Sequence, residues 1–172
     1  NGGGSDIRAW DVILPRIGEF TSVLAYSRAG QGGSERAKTP RTLTNVVEEL
    51  RTLLQRAGCH PPFVLIGRSL GGIYIRAFAT MYPREVAGLV LVDGSHERQD
   101  IEFARILQIP LEKFFAKSLE SEKEDAAREA MEGLAPVMTT GSLGLPGKLP
   151  DLPMVVITHT KPDGPPAILK AW

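Results

Sequence analysis

Residues 63–72 read FVLIGRSLGG, an apolar run that ends at a serine flanked by glycines. Gly67 stands two residues before Ser69, and Gly71 stands two residues after it. An ordinary buried strand that ends in a turn does not require this spacing. A strand that turns sharply into a helix does require this spacing. In such a turn the backbone of the serine is strained, and the chain at the two glycine positions passes too close to neighbouring backbone for a Cβ to fit. The stretch predicts a sharp turn from strand to helix, with the Ser69 Oγ exposed at the carboxyl end of a sheet.

The rest of the chain alternates between strand and helix patterns. Four apolar runs, rich in β-branched residues, are typical of strands buried on both faces: 22–26, 63–67, 89–93 and 154–158. The clearest helical pattern between them covers 40–57, and Gly58 provides a stop. This alternation predicts an α/β fold with a mostly parallel sheet flanked by helices.

The segment 97–150 is longer than a crossover between parallel strands requires. Its stretches 101–109 and 111–134 have helical patterning, and a loop-like stretch follows at 139–150. We interpret 97–150 as a helical cap inserted over one end of the sheet in a single domain, 1–172. The charge run at 120–129 is typical of the solvated face of such helices.

Composition excludes several classes of function. The 172 residues include 20 basic and 20 acidic ones, so the formal net charge is zero and no basic stripe suits nucleic acid or an anionic membrane. The single cysteine, Cys59, excludes an intramolecular disulfide and a multi-cysteine metal site. No apolar run is long enough to span a bilayer. We therefore expect a cytoplasmic protein that acts on a small molecule without a cofactor or metal; its oligomeric state is not determined by the sequence.

Residues 61–97, which contain the serine turn and the next strand, resemble the nucleophile elbow and following strand of the α/β-hydrolase superfamily, in its branch of small serine hydrolases. The opening NGGGS resembles the oxyanion loop HGGG of that fold, and residues 25–34 resemble its YDRxGxGxS loop. The resemblance implies that Ser69 is the nucleophile and that the backbone N–H groups of Gly3 and Leu70 form an oxyanion hole.

Two positions depart from the family pattern. Asn1 stands where the family usually has His, and Ser27 stands where it usually has Asp. Neither position carries the chemistry in the family, so the departures concern the packing of the loops.

A serine nucleophile needs a histidine base and a carboxylate that orients the base. Two aspartates compete for the role of the acid. Asp93 ends the strand beside the nucleophile strand, a placement that part of the superfamily uses. Asp163 follows the next strand, where most members carry the acid, but Pro-Asp-Gly is also a ready turn sequence. The sequence favours Asp93.

The base is harder to place, because the chain has three histidines. His60 precedes a strand and so lies at the wrong end of the sheet. His96 and His159 follow strands, yet a structural role is favoured for both. The resemblance implies a catalytic histidine after one further strand and helix. We therefore expect that residues 1–172 lack the first strands and the catalytic-histidine segment of the fold, and that they are inactive by themselves.

The predicted reaction is hydrolysis of an ester or amide bond through an acyl-serine intermediate. The alternative is a non-catalytic ligand-binding or interaction protein on the same fold, because fold does not fix function. The identity of the substrate is not determined by the sequence.

Overall fold

A computed structural model describes residues 1–120 and 124–159. Its parallel sheet contains the strands β1 (Phe63–Arg68), β2 (Val86–Val92) and β3 (Met154–Ile157), in the order β1-β2-β3. Leu65 of β1 pairs with Leu89 of β2, which in turn pairs with Met154 of β3. Because the strands are parallel, their carboxyl ends meet at one edge of the sheet. The predicted α/β class is confirmed.

Helices flank the sheet, as predicted. The described part of the chain contains α1 (Leu14–Gly18), α2 (Leu43–Arg56), α3 (Gly71–Met81), α4 (Gln99–Leu107), α5 (Leu111–Leu119), α6 (Glu124–Glu129) and α7 (Ala135–Thr140). A 3₁₀ turn covers Ile7–Trp10, a second covers Pro83–Glu85, and a π-helical turn, Ala130–Leu134, joins α6 to α7. In the described ranges, none of these helices is long and apolar enough to cross a membrane.

The hydrophobic core lies between α2, α3 and the first two strands. The apolar residues of α2 recur at helical spacing, so one stripe of the helix is buried against α3. Helix α3 is buried almost all round, with Ile73 and Phe78 at 0% exposure. Burial on every side fixes the direction of α3, and therefore the position of the serine turn that precedes it.

Helix α2 begins slightly later than the sequence predicts. The helical pattern starts at residue 40, whereas the N-cap is Thr42, whose Oγ accepts a hydrogen bond from the Asn45 N–H at 3.2 Å. The predicted stop is confirmed, since Gly58 adopts a left-handed φ of +68° after the last turn.

Three strand predictions differ from the structure. Strand β1 was expected to be buried on both faces, but Val64 is 62% exposed. The run 22–26 pairs with no strand among the described residues, and Val23 and Leu24 are 40% and 39% exposed. Strand β3 exists, but its residues are exposed rather than buried, up to 60% at Val156. Apolar composition predicts burial only where layers cover both faces, and in the described ranges β3 is an edge strand with β2 as its one neighbour.

Helices α4 to α7 lie in the segment 97–150, as the helical patterning at 101–109 and 111–134 predicts, but α7 continues into residues 139–140, where a loop is expected. The interpretation of this segment as a cap inserted over the sheet stays a prediction. The charge run was expected to be solvated, and the Glu124 side chain is 80% exposed. At Glu129 this expectation is wrong, because Glu129 is only 2% exposed and pairs with a buried arginine.

Candidate active site

Ser69 lies in the turn between β1 and α3. Its φ is +49°, a left-handed conformation that a non-glycine residue rarely adopts. The Ser69 N–H donates to the Val92 carbonyl at 3.1 Å, and the Ser69 carbonyl accepts from the N–H of Gly72 at 2.9 Å. The turn is therefore bonded both to the end of β2 and to the first turn of α3. This is the strained strand-to-helix geometry that the glycine spacing predicts.

The glycines around Ser69 mark close approaches of backbone to backbone. A Cβ on Gly67 would lie 2.5 Å from the Gly71 carbonyl oxygen. A Cβ on Gly71 would lie 2.9 Å from the carbonyl oxygen of Asn1, so the neighbour there is the start of the chain rather than a strand or helix. The Gly71 carbonyl cannot move away without opening the turn, whereas the Asn1 carbonyl is held in place by the Arg28 Nη1, which donates to it at 2.7 Å.

We expect Gly67→Val and Gly71→Val to give insoluble or inactive protein. The added side chains collide with backbone, so the destabilisation should reach at least the upper end of overpacking, about 3 kcal/mol. Solubility, melting temperature and ester turnover measure the effect. Gly33→Val is the matched control, because a Cβ on Gly33 meets no atom within 4 Å. Normal activity and melting temperature in both elbow variants would show that Ser69 does not lie in a nucleophile elbow.

Residues 1–4, called the glycine loop below, lie against the serine. A Cβ on Gly2 would be 3.2 Å from the Ser69 Cβ and 3.7 Å from its Oγ. Leu70 is the N-cap residue of α3, so its N–H belongs to the group at a helix start that lacks partners within the helix. The roles of Gly3 and Leu70 as oxyanion donors stay predictions.

Asp93 follows the last residue of β2 and also has a left-handed φ, of +44°. Its N–H donates to the Ile157 carbonyl at 2.8 Å, which ties the tip of β2 to the tip of β3. Its Oδ1 accepts a hydrogen bond from the His159 N–H at 2.8 Å, and the His159 Nδ1 lies 2.9 Å from the same oxygen. The ring and backbone hydrogen bonds of His159 lower the pKa of Asp93 below its usual value, so Asp93 is a carboxylate at neutral pH.

The Asp93–His159 contact is the feature that sequence reasoning missed. The sequence places His159 after a strand, at the correct end of the sheet, but periodicity does not show which side chain the ring contacts. His96 has a structural contact instead, since its Nδ1 accepts from the Arg98 N–H at 3.2 Å just before α4. His60 is exposed in the loop before β1. Asp163 lies outside the described residues.

A cavity of about 620 Å³ lies between residues 4–9, the loop at 30–36 and α6. Charged side chains line it: Asp6, Arg8, Arg36, Glu124 and Asp125. In the described part of the chain, no three His, Cys, Asp or Glu side chains lie close enough together to hold a metal ion.

The sequence model described as the Alpha/beta hydrolase family matches residues 1–170. The chain belongs to the alpha/beta hydrolase family. It is 34% identical over 101 residues to the AB hydrolase superfamily protein of Gibberella zeae, covering 56% of this chain and 31% of that protein. It is 30% identical over 113 residues to the abhydrolase domain-containing protein abhd-5.2 of Caenorhabditis elegans, covering 62% and 25%. This alpha/beta hydrolase chain spans less than a third of the length of these two relatives.

Solved structures agree on the fold. A hydrolase from Pseudomonas aeruginosa PA01 is 24% identical, with a TM-score of 0.56 over 92% of this chain and 69% of that one. The N-acyl homoserine lactonase AidH is 18% identical, with a TM-score of 0.65 over 91% and 67%. The epoxide hydrolase CorEH is 17% identical, with a TM-score of 0.61 over 92% and 72%. At these identities the likeness shows the alpha/beta hydrolase fold alone.

Proposed function

We propose that this alpha/beta hydrolase cleaves a carboxylic ester or amide through an acyl-serine intermediate, with Ser69 as the nucleophile and Asp93 as the acid. The observation that carries the proposal is the left-handed φ of Ser69 at a strand-to-helix turn, beside a carboxylate that contacts an imidazole. A strained serine at this edge of the sheet has no evident role in packing, whereas it presents Oγ for attack.

In this mechanism the Ser69 Oγ attacks the carbonyl carbon of the substrate, and a histidine takes the Oγ proton. The Asp93 carboxylate orients that histidine and stabilises its cationic form. The negative charge on the substrate oxygen is stabilised by hydrogen bonds from the Gly3 and Leu70 N–H groups and by the dipole at the N-terminal end of α3. The histidine then returns the proton to the leaving group, and water releases the acid from Ser69 by the reverse sequence.

Two assignments of the base are compatible with Ser69 and Asp93. His159 contacts Asp93 through Nδ1, which leaves Nε2 as the atom that would have to reach Ser69. Against it, β1 and β3 are separated by β2, which puts their tips about 10 Å apart. The resemblance instead implies a histidine after a further strand and helix.

The variant His159→Gln distinguishes these assignments, with His96→Gln as the matched control. If His159 is the base, its loss lowers kcat on the order of 10⁴-fold, as in serine protease triads. If the base is the histidine implied by the resemblance, His159→Gln changes kcat by less than about tenfold. Ser69 remains the nucleophile in either case.

The alternative function is a ligand-binding protein on the same fold. The observation that favours it is the charged cavity of about 620 Å³, whose lining includes Ser5 but not Ser69. A polar ligand could bind there without contacting the nucleophile.

Reaction with a fluorophosphonate probe, together with turnover of short-chain activated esters and anilides, separates the two functions. A hydrolase is labelled at Ser69 and turns over at least one of these substrate classes, whereas a binding protein shows neither property. Both measurements use the full-length protein that contains residues 1–172, because those residues by themselves are expected to be inactive. Absence of both labelling and turnover in the folded full-length protein would overturn the proposal.

A further inference from the structure

A buried charge network links the helix α6 to the glycine loop beside Ser69. Glu129, at the end of α6, accepts a hydrogen bond from the Arg28 Nε at 2.6 Å, across 101 positions of sequence. Arg28 and Glu129 are 4% and 2% exposed. The second Glu129 oxygen accepts from the Gln31 Nε2 at 2.8 Å, and Gln31 is also buried. Burial of two charges is unfavourable unless both are paired, so this pair has a fixed geometry.

The other two nitrogens of Arg28 hold the glycine loop. Nη1 donates to the Asn1 carbonyl at 2.7 Å, and Nη2 donates to the Gly2 carbonyl at 3.0 Å. The guanidinium also lies 5.1 Å from the centre of the Tyr74 ring on α3, which fixes its plane. One planar group therefore binds Glu129 and two successive carbonyls through three separate nitrogens in a rigid fork, a geometry that the single nitrogen of lysine does not provide.

The orientation of these carbonyls fixes the N–H groups of the loop. In a trans peptide the C=O and the N–H point in opposite directions. Because Arg28 binds the Asn1 and Gly2 carbonyls, the N–H groups of Gly2 and Gly3 point away from Arg28. Gly2 packs against Ser69. The Gly3 N–H is the donor that the proposed function assigns to the oxyanion.

We propose that Arg28 and Glu129 are a positioning pair, which sets the glycine loop in the orientation that the oxyanion hole requires. The inference rests on the proposed function for its catalytic consequence. Neither residue touches the substrate: Arg28 acts through the loop, and Glu129 acts through Arg28. Helix α6 thus contributes to catalysis through one buried carboxylate, even though its Glu124 side chain is solvated.

Two variants separate positioning from folding. Arg28→Lys keeps the charge that Glu129 needs but loses the planar fork. Arg28→Met/Glu129→Leu removes both charges and replaces them with apolar groups, an exchange that is often neutral for stability. We expect both variants to lower kcat about 100-fold, the effect of losing one oxyanion donor, while KM changes by less than about threefold. Glu112→Gln, at an exposed position of the neighbouring helix α5 that does not line the cavity, is the control and should leave both constants unchanged.

Amide hydrogen exchange at residues 2–4 provides a readout that does not depend on activity. In Arg28→Lys these amides should exchange faster than in the wild-type protein, whereas those of α2 should not change. If the wild-type protein shows no turnover, the proposed function is wrong. The exchange measurement still tests whether Arg28 positions the glycine loop. Unchanged exchange in Arg28→Lys, or a kcat within threefold of wild type in a folded variant, would overturn the positioning role.

Discussion

Ser69→Ala is expected to lower kcat for ester hydrolysis on the order of 10⁴-fold or more. The variant removes the atom that forms the covalent bond, so only the oxyanion donors and binding remain to assist attack by water. The same change should abolish covalent labelling by a fluorophosphonate probe. Stopped assays measure a loss of this size when the enzyme concentration is high enough for the remaining turnover to exceed background hydrolysis of the ester.

The matched control for this experiment is Ser34→Ala. Ser34 is exposed, and its hydroxyl donates to the Ser27 carbonyl at 2.8 Å, away from the elbow. Its removal should leave kcat and labelling unchanged. Persistent labelling in a folded Ser69→Ala protein would exclude Ser69 as the nucleophile.

Asp93→Asn should lower kcat by roughly 10⁴-fold, the loss seen when the acid of a serine protease triad becomes an amide. Asparagine keeps the shape of the side chain but offers a donor as readily as an acceptor. The tautomer of the histidine is then no longer fixed, and its cation is no longer stabilised. Side-chain volume and the backbone turn at Asp93 are preserved, so the melting temperature should change little.

Asp163→Asn is the paired variant, and it should lower kcat less than about tenfold. Steady-state kinetics on the same ester give the ranking of the two changes directly. A large loss in Asp163→Asn with a small one in Asp93→Asn would move the acid to Asp163.

The elbow could be predicted from the sequence because its requirements are local. The positive φ of Ser69 and the close approach of Gly67 to the Gly71 carbonyl are specified within ten consecutive residues, whereas the backbone that a Cβ on Gly71 would meet belongs to the distant Asn1. The position of Asp93 at the carboxyl end of β2 could be predicted for the same reason, because Asp93 directly follows an apolar run in the sequence. Both features depend on neighbours in sequence and on the parallel order of the strands.

Features that depend on distant residues could not be predicted. The charge run at 120–129 has the composition of a solvated face, yet Glu129 is buried because Arg28 lies opposite it. No sequence pattern near Arg28 or Glu129 indicates that the two side chains form a pair. The contact between His159 and Asp93 likewise depends on a side-chain orientation at the tip of β3. The run 22–26 has the composition of a strand, but composition does not show whether a neighbouring strand is present to pair with it.

Direct detection of the acyl-enzyme tests the central claim, that Ser69 carries the acyl group during turnover. The full-length protein that contains residues 1–172 is mixed with p-nitrophenyl acetate, quenched in acid within the first turnover, digested and analysed by mass spectrometry. The proposed mechanism predicts an acetyl group on the peptide that contains Ser69, located at that residue by fragmentation and absent in Ser69→Ala. Turnover of the ester with the acetyl group on another residue, or with no acetylated peptide at any quench time, would contradict it.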